Sequence, residues 1–354
     1  MEAASVPASG PAAPRKTIGD FISTYGLIAV LAAMPVYFAV SDLLSDEDNL
    51  SRLGNNLVDG MSNGAIWALV AIGYTLVYGI VELINFAHGE VFMIGSFTTA
   101  AFFGFIGLTQ DTSAFLLFFG LLLTLFVAMA ASGTLNVMIE RVGYRPLRSA
   151  PRLAPLITAV GFSFILQNVG LLWLGGSPEG IPDLIRAQKQ LIDIGGVSIS
   201  NGDVLSIGVT IPVLLIMTTF ISRSRLGKAM RATAQDPEAA RLMGINVDTT
   251  ISLTFLLGGI LAGSAGLIYA LYQTTIWYFQ GFTAGLVAFT AAVMGGIGNL
   301  KGAVLGGFII GFIQQLSDNR IAPEWTNAIV FVYLILIMVF KPSGLLGEQT
   351  RDAG

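Results

Sequence analysis

Side chains able to do chemistry are sparse in this 354-residue chain, and their types limit what it can be. There is one histidine, His88, and no cysteine, which excludes thiol catalysis, disulfides and zinc–thiolate sites. Gly227-Lys228 is followed by Ala229, where a nucleotide-binding loop needs serine or threonine. No catalytic residue and no metal ligand is assigned. Asn85, His88 and Glu90 lie within six residues, with Gly89 interrupting the apolar run. One interpretation is a discontinuous helix whose freed backbone lines a passage, since irregular backbone is tolerated in a bilayer only inside protein or beside water. The other is an interfacial turn whose polar groups meet water. A proton relay at His88 is a further role open to a residue that titrates near neutral pH.

Asn63, Asn85, His88 and Glu90 are the candidate translocation-path residues. Glu82 follows the apolar run from Gly73 to Val81. An ionised group at the bilayer centre costs about 2.5–3.5 kcal/mol, so a place near a span end, paired with an arginine, suits it better. Asp59, Gln167 and Asn168 are other polar groups in or beside apolar runs, suited to hydrogen bonds between helices.

A second group of residues is conformational rather than reactive. Asp236 can accept bonds from the first free amides of a helix, and Pro237 suits the first helical position. Glu238 favours the positive helix N-terminus, Ala239 and Ala240 continue the turn, and Gly244 can take the left-handed conformation that ends it. The result is a helix of about seven residues, roughly 10 Å long. Alone in water a helix this short is unstable, so it must dock, either on neighbouring spans and the membrane surface or on a partner.

The elements that position these residues follow from composition. Hydrophobic residues make up 54% and charged residues 11% of the chain, against roughly 25% charged in soluble domains. Lipid is therefore the solvent for much of the surface, and a net charge of −4 gives no support to nucleic-acid binding. Apolar stretches long enough to span fall near 22–40, 57–81, 91–108, 114–139, 153–175, 204–222, 250–272 and 325–340. Two shorter ones, 283–297 and 303–316, flank a glycine-containing break. The fold class expected is all-α: a polytopic transmembrane helical bundle of 8–10 spans, some short or broken. Residues 1–20 form a cytoplasmic disordered tail, 21–347 the transmembrane domain with a cytoplasmic loop at 223–249, and 348–354 a C-terminal tail. The first apolar run is nearer a retained span than a cleaved signal core.

With the N-terminus in the cytoplasm and ten crossings, fourteen of the 18 Lys and Arg fall inside and four (Arg52, Arg186, Lys189 and Arg320) outside. That asymmetry fixes orientation and places both termini inside. Ten crossings, or eight plus a re-entrant pair, fit it. The longest outer segment, from Ser177 to Asp203, suits either an external cap touching a delivery protein or a plain connection. Gly259 and Gly263, and likewise Gly302 and Gly306, are four apart and mark faces for close helix packing. Residues 57–95 and 278–311 share a likeness too faint to define a repeat.

Four motifs point to a family. The run Glu238-Ala239-Ala240, three residues, then Gly244 resembles the coupling loop of bacterial ATP-binding-cassette importer permeases. Asn85-Phe86-Ala87-His88-Gly89-Glu90 is similar to the signature of branched-chain amino-acid permeases of the LivH type. Phe289 to Gly298 and Lys341-Pro342-Ser343-Gly344-Leu345-Leu346-Gly347 resemble that family's later segments, and the likeness runs from about residue 55 to 347. The resemblance implies a permease subunit of an importer for branched-chain amino acids in the cell (inner or plasma) membrane. It implies as partners a second, homologous permease, two cytoplasmic ATPase subunits and an extracytoplasmic amino-acid-binding protein. Asp236, Pro237, Glu238, Ala239, Ala240 and Gly244 would form the ATPase-coupling element. No cofactor is expected on this chain, ATP and Mg being used by the partner ATPase. A permease for urea or short amides is the neighbouring alternative. An ion-coupled carrier is the alternative from another class; it should bury ionisable residues at mid-membrane.

Overall fold

The computed structural model describes residues 18–44, 49–148, 150–151 and 153–347. These form twelve α-helices: α1 (Ile18–Leu44), α2 (Asn49–Val81), α3 (His88–Ile106), α4 (Ala114–Ile139), α5 (Leu153–Leu174), α6 (Asn201–Arg223), α7 (Arg225–Gln235), α8 (Pro237–Leu242), α9 (Val247–Gln273), α10 (Gln280–Gly295), α11 (Leu300–Arg320) and α12 (Pro323–Phe340). Eight of them are long and apolar enough to cross a membrane, and apolar stretches of α1 and α10 are shorter. All ten expected apolar stretches are therefore helical. α1 begins inside the tail expected for residues 1–20, and the rest of that tail, the tail 348–354 and residues 45–48 lie outside the described residues.

Glycine contacts define how the helices pack. Gly307 sits on Ala68 and Gly311 on Gly64, laying α11 antiparallel along α2; a Cβ at Gly311 would fall 2.3 Å from the Gly64 nitrogen. Gly259 sits on Gly133 and Gly263 on Ala128, laying α9 antiparallel along α4. Gly302 and Gly306 meet Gly295 and Ala291, so α10 and α11 fold back on each other rather than forming one interrupted span. The four glycines expected to pack helices do so within the chain. Without a hydrophobic drive between helices in lipid, such close backbone approach supplies the van der Waals contact that holds them.

These contacts reveal an internal repeat. α2–α5 and α9–α12 are built alike and run in opposite directions. α3 packs between α4 and α9 as α10 packs between α11 and α2, and α5 leans on α3 as α12 leans on α10. The likeness between 57–95 and 278–311 has the wrong register for this, because the counterpart of α2–α3 is α9–α10. Such inverted repeats place irregular backbone near the middle of the bundle.

The two ends of the bundle differ in charge. Arg141, Arg145, Arg148, Arg223, Arg225, Lys228, Arg231, Arg241, Lys301 and Lys341 gather at the end holding α8, and Arg52, Arg186, Lys189 and Arg320 at the opposite end. At the opposite end, residues 177–200 form a folded cap. Its strands β1 (Glu179–Gly180), β2 (Gln190–Ile194) and β3 (Val197–Ser200) join β4 (Thr275–Ile276) in two small antiparallel ladders, β1 with β4 and β2 with β3. Asn55 of α2 accepts a bond from the Ser198 amide at 2.8 Å, tying the cap to the bundle.

Candidate translocation core and coupling surface

The segment 82–87 breaks the helical path between α2 and α3. Glu82, exposed at the end of α2, takes a left-handed backbone (φ 52°) and turns the chain. α3 then starts beside Gly73 and Gly258, well up from the ends of α2 and α9. His88 is fully buried there, its ring edge-on to Tyr74 with centroids 4.7 Å apart. Gly73 makes the space: a Cβ there would lie 2.3 Å from His88 Nε2. No side chain bonds either ring nitrogen, so the relay role lacks a carboxylate in contact. Asn85 and Glu90 are equally enclosed, which corrects the interfacial-turn interpretation in favour of a discontinuous helix. Burial wins because the inverted repeat surrounds the break with helices.

The N-termini of α3 and α10 meet at this break. Gly89 and Gly281 are in backbone contact, and a Cβ at Gly281 would lie 2.9 Å from the Glu90 Cα. Two helix N-termini carry partial positive charge, each worth up to about 2 kcal/mol to an anion in a partly buried setting. That is a physical reason for a buried Glu90 at this spot. Its Oε1 accepts a bond from Gln167 Nε2 at 3.0 Å, linking α3 to α5. Asn63 does not join this cluster. It lies nearer the cap, where its Nδ2 donates to Gln315 Oε1 at 3.4 Å.

Below the core, toward α8, a polar chain missed in the sequence ties the break to α9. Asn85 Nδ2 donates to Asn136 Oδ1 at 3.2 Å, and Asn136 Nδ2 donates to the Phe255 carbonyl at 2.6 Å. The Tyr144 hydroxyl bonds both the Ile84 carbonyl and Asn85 Oδ1, each at 3.2 Å. One turn beyond Asn136, Glu140 is buried with its side chain at 0% exposure, clamped by Arg145 and Arg148. Ser252 of α9 bonds Glu140 Oε2 at 2.6 Å, and Arg148 also holds Asp248 at the start of α9. A π-turn, Glu140–Tyr144, puts Glu140 and Arg145 on one face although they are five residues apart. Glu140 is thus a buried arginine-bound carboxylate that the sequence reading did not single out. Asn136, a lone amide deep in an apolar run, was the available signal.

α8 follows the sequence closely. Asp236 Oδ1 accepts from the amides of Glu238 and Ala239 at 2.9 Å each. At the other end Gly244 has φ 84°, its amide bonds the Arg241 carbonyl, and the Ile245 amide bonds the Ala240 carbonyl at 3.0 Å. That pair of bonds is a complete Schellman stop. The lead-in from Arg225 to Gln235 is itself helical, so the loop 223–249 holds two helices where one was expected. Ala240 is buried against the bundle, whereas Leu242 and Met243 are 89% and 83% exposed. Beside them Arg241 and residues 244–248 line a shallow depression of about 320 Å³.

The family model described as the branched-chain amino acid transport system permease component matches residues 56–338. The chain belongs to this family. The permease is 42% identical over 294 residues to the high-affinity branched-chain amino acid transport system permease protein BraD of Pseudomonas aeruginosa, a match covering 82% of this chain and 95% of that one. It is 40% identical over 295 residues to the corresponding LivH of Escherichia coli K12, covering 82% and 94%. A more distant match, 29% identical over 205 residues, is the autoinducer 2 import system permease protein LsrC of Klebsiella pneumoniae, covering 56% of this chain and 57% of that one. Buried ionisable residues do not set the permease apart from an ion-coupled carrier, since Glu90 and His88 lie in its core; family membership does. Glu140 is neutralised by two arginines, and the core offers Glu90 and His88 with no ion pair between them.

Proposed function

We propose that the permease is the membrane subunit of an ATP-driven importer of branched-chain amino acids in the inner or plasma membrane. Both termini and α8 face the cytoplasm, in line with the clustering of basic residues at the α8 end. It works with a second permease, two ATPase subunits that bind ATP and Mg, and a soluble binding protein that delivers solute to the capped end. The observation that carries this is α8: a fully capped helix at the rim of the bundle that leaves Leu242 and Met243 exposed. Exposed apolar residues on a rigid mount mark an interaction site. Force applied there passes to α9 through Asn246 and Val247. The Asp248–Arg148–Glu140 clamp and the Asn136–Asn85 bonds then carry it to the broken segment before α3. Transport requires that this linkage shift the meeting point of α3 and α10, opening the core between repeats. Asn85, His88 and Glu90 border that opening; their burial belongs to the closed state. The solute reading rests on the family description and on the substrate class shared by the two relatives at 40% identity or more. Uptake of labelled leucine by the whole complex should be competed by isoleucine and valine and left unchanged by excess urea. Competition by urea alone would transfer the permease to the amide importers.

A further inference from the structure

At the capped end, between the start of α2 and the end of α11, lies an open cavity of about 610 Å³. Among the described residues Arg52, Arg320, Asp59, Asn55, Asn56 and Asn319 line it, together with Ser51 and Gly196. Its volume is that of a small-molecule site, yet among the described residues no apolar side chain contributes to the lining. From its floor a polar strip runs inward. Asn319 Nδ2 donates to Asn56 Oδ1 at 2.6 Å, Gln315 Nε2 to Asp59 Oδ2 at 3.0 Å, and Asn63 Nδ2 to Gln315 Oε1. The strip stops where Gly311 closes on Gly64. Asn56 is 4% exposed, and its amide nitrogen has no hydrogen-bond partner among the described residues. A buried donor left idle at a cavity wall is a group prepared for a ligand acceptor.

We propose that this cavity is an entry site for the head group of a free α-amino acid. Asp59 faces the ammonium, Arg52 and Arg320 face the carboxylate, and the Asn56 amide completes the carboxylate's acceptor bonds. This rests on the import of amino acids proposed above and adds where the solute first touches the permease. Charges of both signs in one small space match a zwitterion and mismatch a neutral amide. Because every described side chain lining it ends in a polar or charged group, the site reads the head group and responds only weakly to the side chain. Discrimination among leucine, isoleucine, valine and smaller amino acids then falls to another component. Asn63 takes a place on the path at the inner end of this strip, apart from the His88 cluster.

The test is equilibrium binding to the full-length permease in lipid nanodiscs. The ligands are L-leucine, L-alanine, leucinamide (no carboxylate), 4-methylpentanoate (no ammonium) and urea. Leucine and alanine should bind within about threefold of each other, whereas an apolar pocket separates ligands differing by even one methylene by about tenfold or more. Leucinamide and 4-methylpentanoate should each bind at least about tenfold more weakly than leucine, as should leucine to Asp59→Asn or Arg320→Gln, through loss of a charge-assisted bond. Leucine uptake by the whole complex is measured alongside. Saturable leucine binding that ignores both substitutions, a steep preference for leucine over alanine, or no binding at all would overturn the entry site. So would substitutions that weaken only attachment of the soluble binding protein. If the complex imports leucine in those cases, the proposed function stands without the site. If the wild-type complex imports no leucine, both fall.

Discussion

Replacing Leu242 and Met243 together with glutamate strips the permease of its ATPase while leaving it folded in the membrane. Both side chains are almost wholly exposed, and substitutions at such positions change stability by about 0.5 kcal/mol or less. At an interface centre the same exposed apolar groups act as anchors, each worth about 2 kcal/mol or more. Losing two and burying two charges in their place should lower ATPase co-purification by more than about a hundredfold. Gly244→Leu should act in the same direction but less strongly. Nothing lies within 4 Å of a Cβ at that position, so the cost is confined to the left-handed backbone, about 1–2 kcal/mol. Pull-down from membranes, with the amount of inserted permease as the reference, measures both. Wild-type recovery of the ATPase with the double variant would remove α8 as the docking element.

Glu140→Gln should separate ATP hydrolysis from transport. The substitution keeps the shape of the side chain and its bond to Ser252 but takes the carboxylate from Arg145 and leaves Arg148 with Asp248 alone. Both arginines are partly exposed, so the loss stays below the roughly 3–5 kcal/mol of a fully buried pair, and it falls on the joint between α4 and α9. The docking surface is untouched, so the ATPase still binds and turns over. Leucine moved per ATP should fall by about tenfold or more. Should the variant accumulate poorly, Ser252→Ala offers a gentler cut of the same joint, at about 1.5–3 kcal/mol for a hydrogen bond to a charged group. A coupling ratio equal to wild type in both variants would show that the clamp holds structure without carrying force.

How far the sequence could be read varied with the physics behind each feature. Spans were visible because burial in lipid demands long apolar runs, and ten runs became ten helices. α8 was visible because its start and stop are local: Asp236, Pro237 and Gly244 act within a few residues of themselves. The glycine pairs at 259 and 263 and at 302 and 306 announced close packing, but not which helix would be met. Glu140 stayed hidden because pairing rules for regular helices look three or four residues ahead. Five residues turn an α-helix by about 140° past one full turn, and only the π-turn brings Arg145 round to it. Burial of Asn85, His88 and Glu90 depended on α10 arriving from the other repeat, some 190 residues later, which no local pattern encodes. The polar cavity at Asp59 and Arg320 joins helices across about 260 residues of sequence and was equally out of reach. Local rules gave the parts; long-range contacts decided which of them touch.

The central claim is that this subunit has no engine and is moved from α8. Purified permease should be placed in sealed vesicles with labelled leucine, first alone and then with its ATPase subunits, its permease partner, the binding protein and ATP. Accumulation against a gradient should occur only in the complete mixture and stop when hydrolysis is blocked. Uphill uptake by the permease alone, with no nucleotide present, would contradict the account.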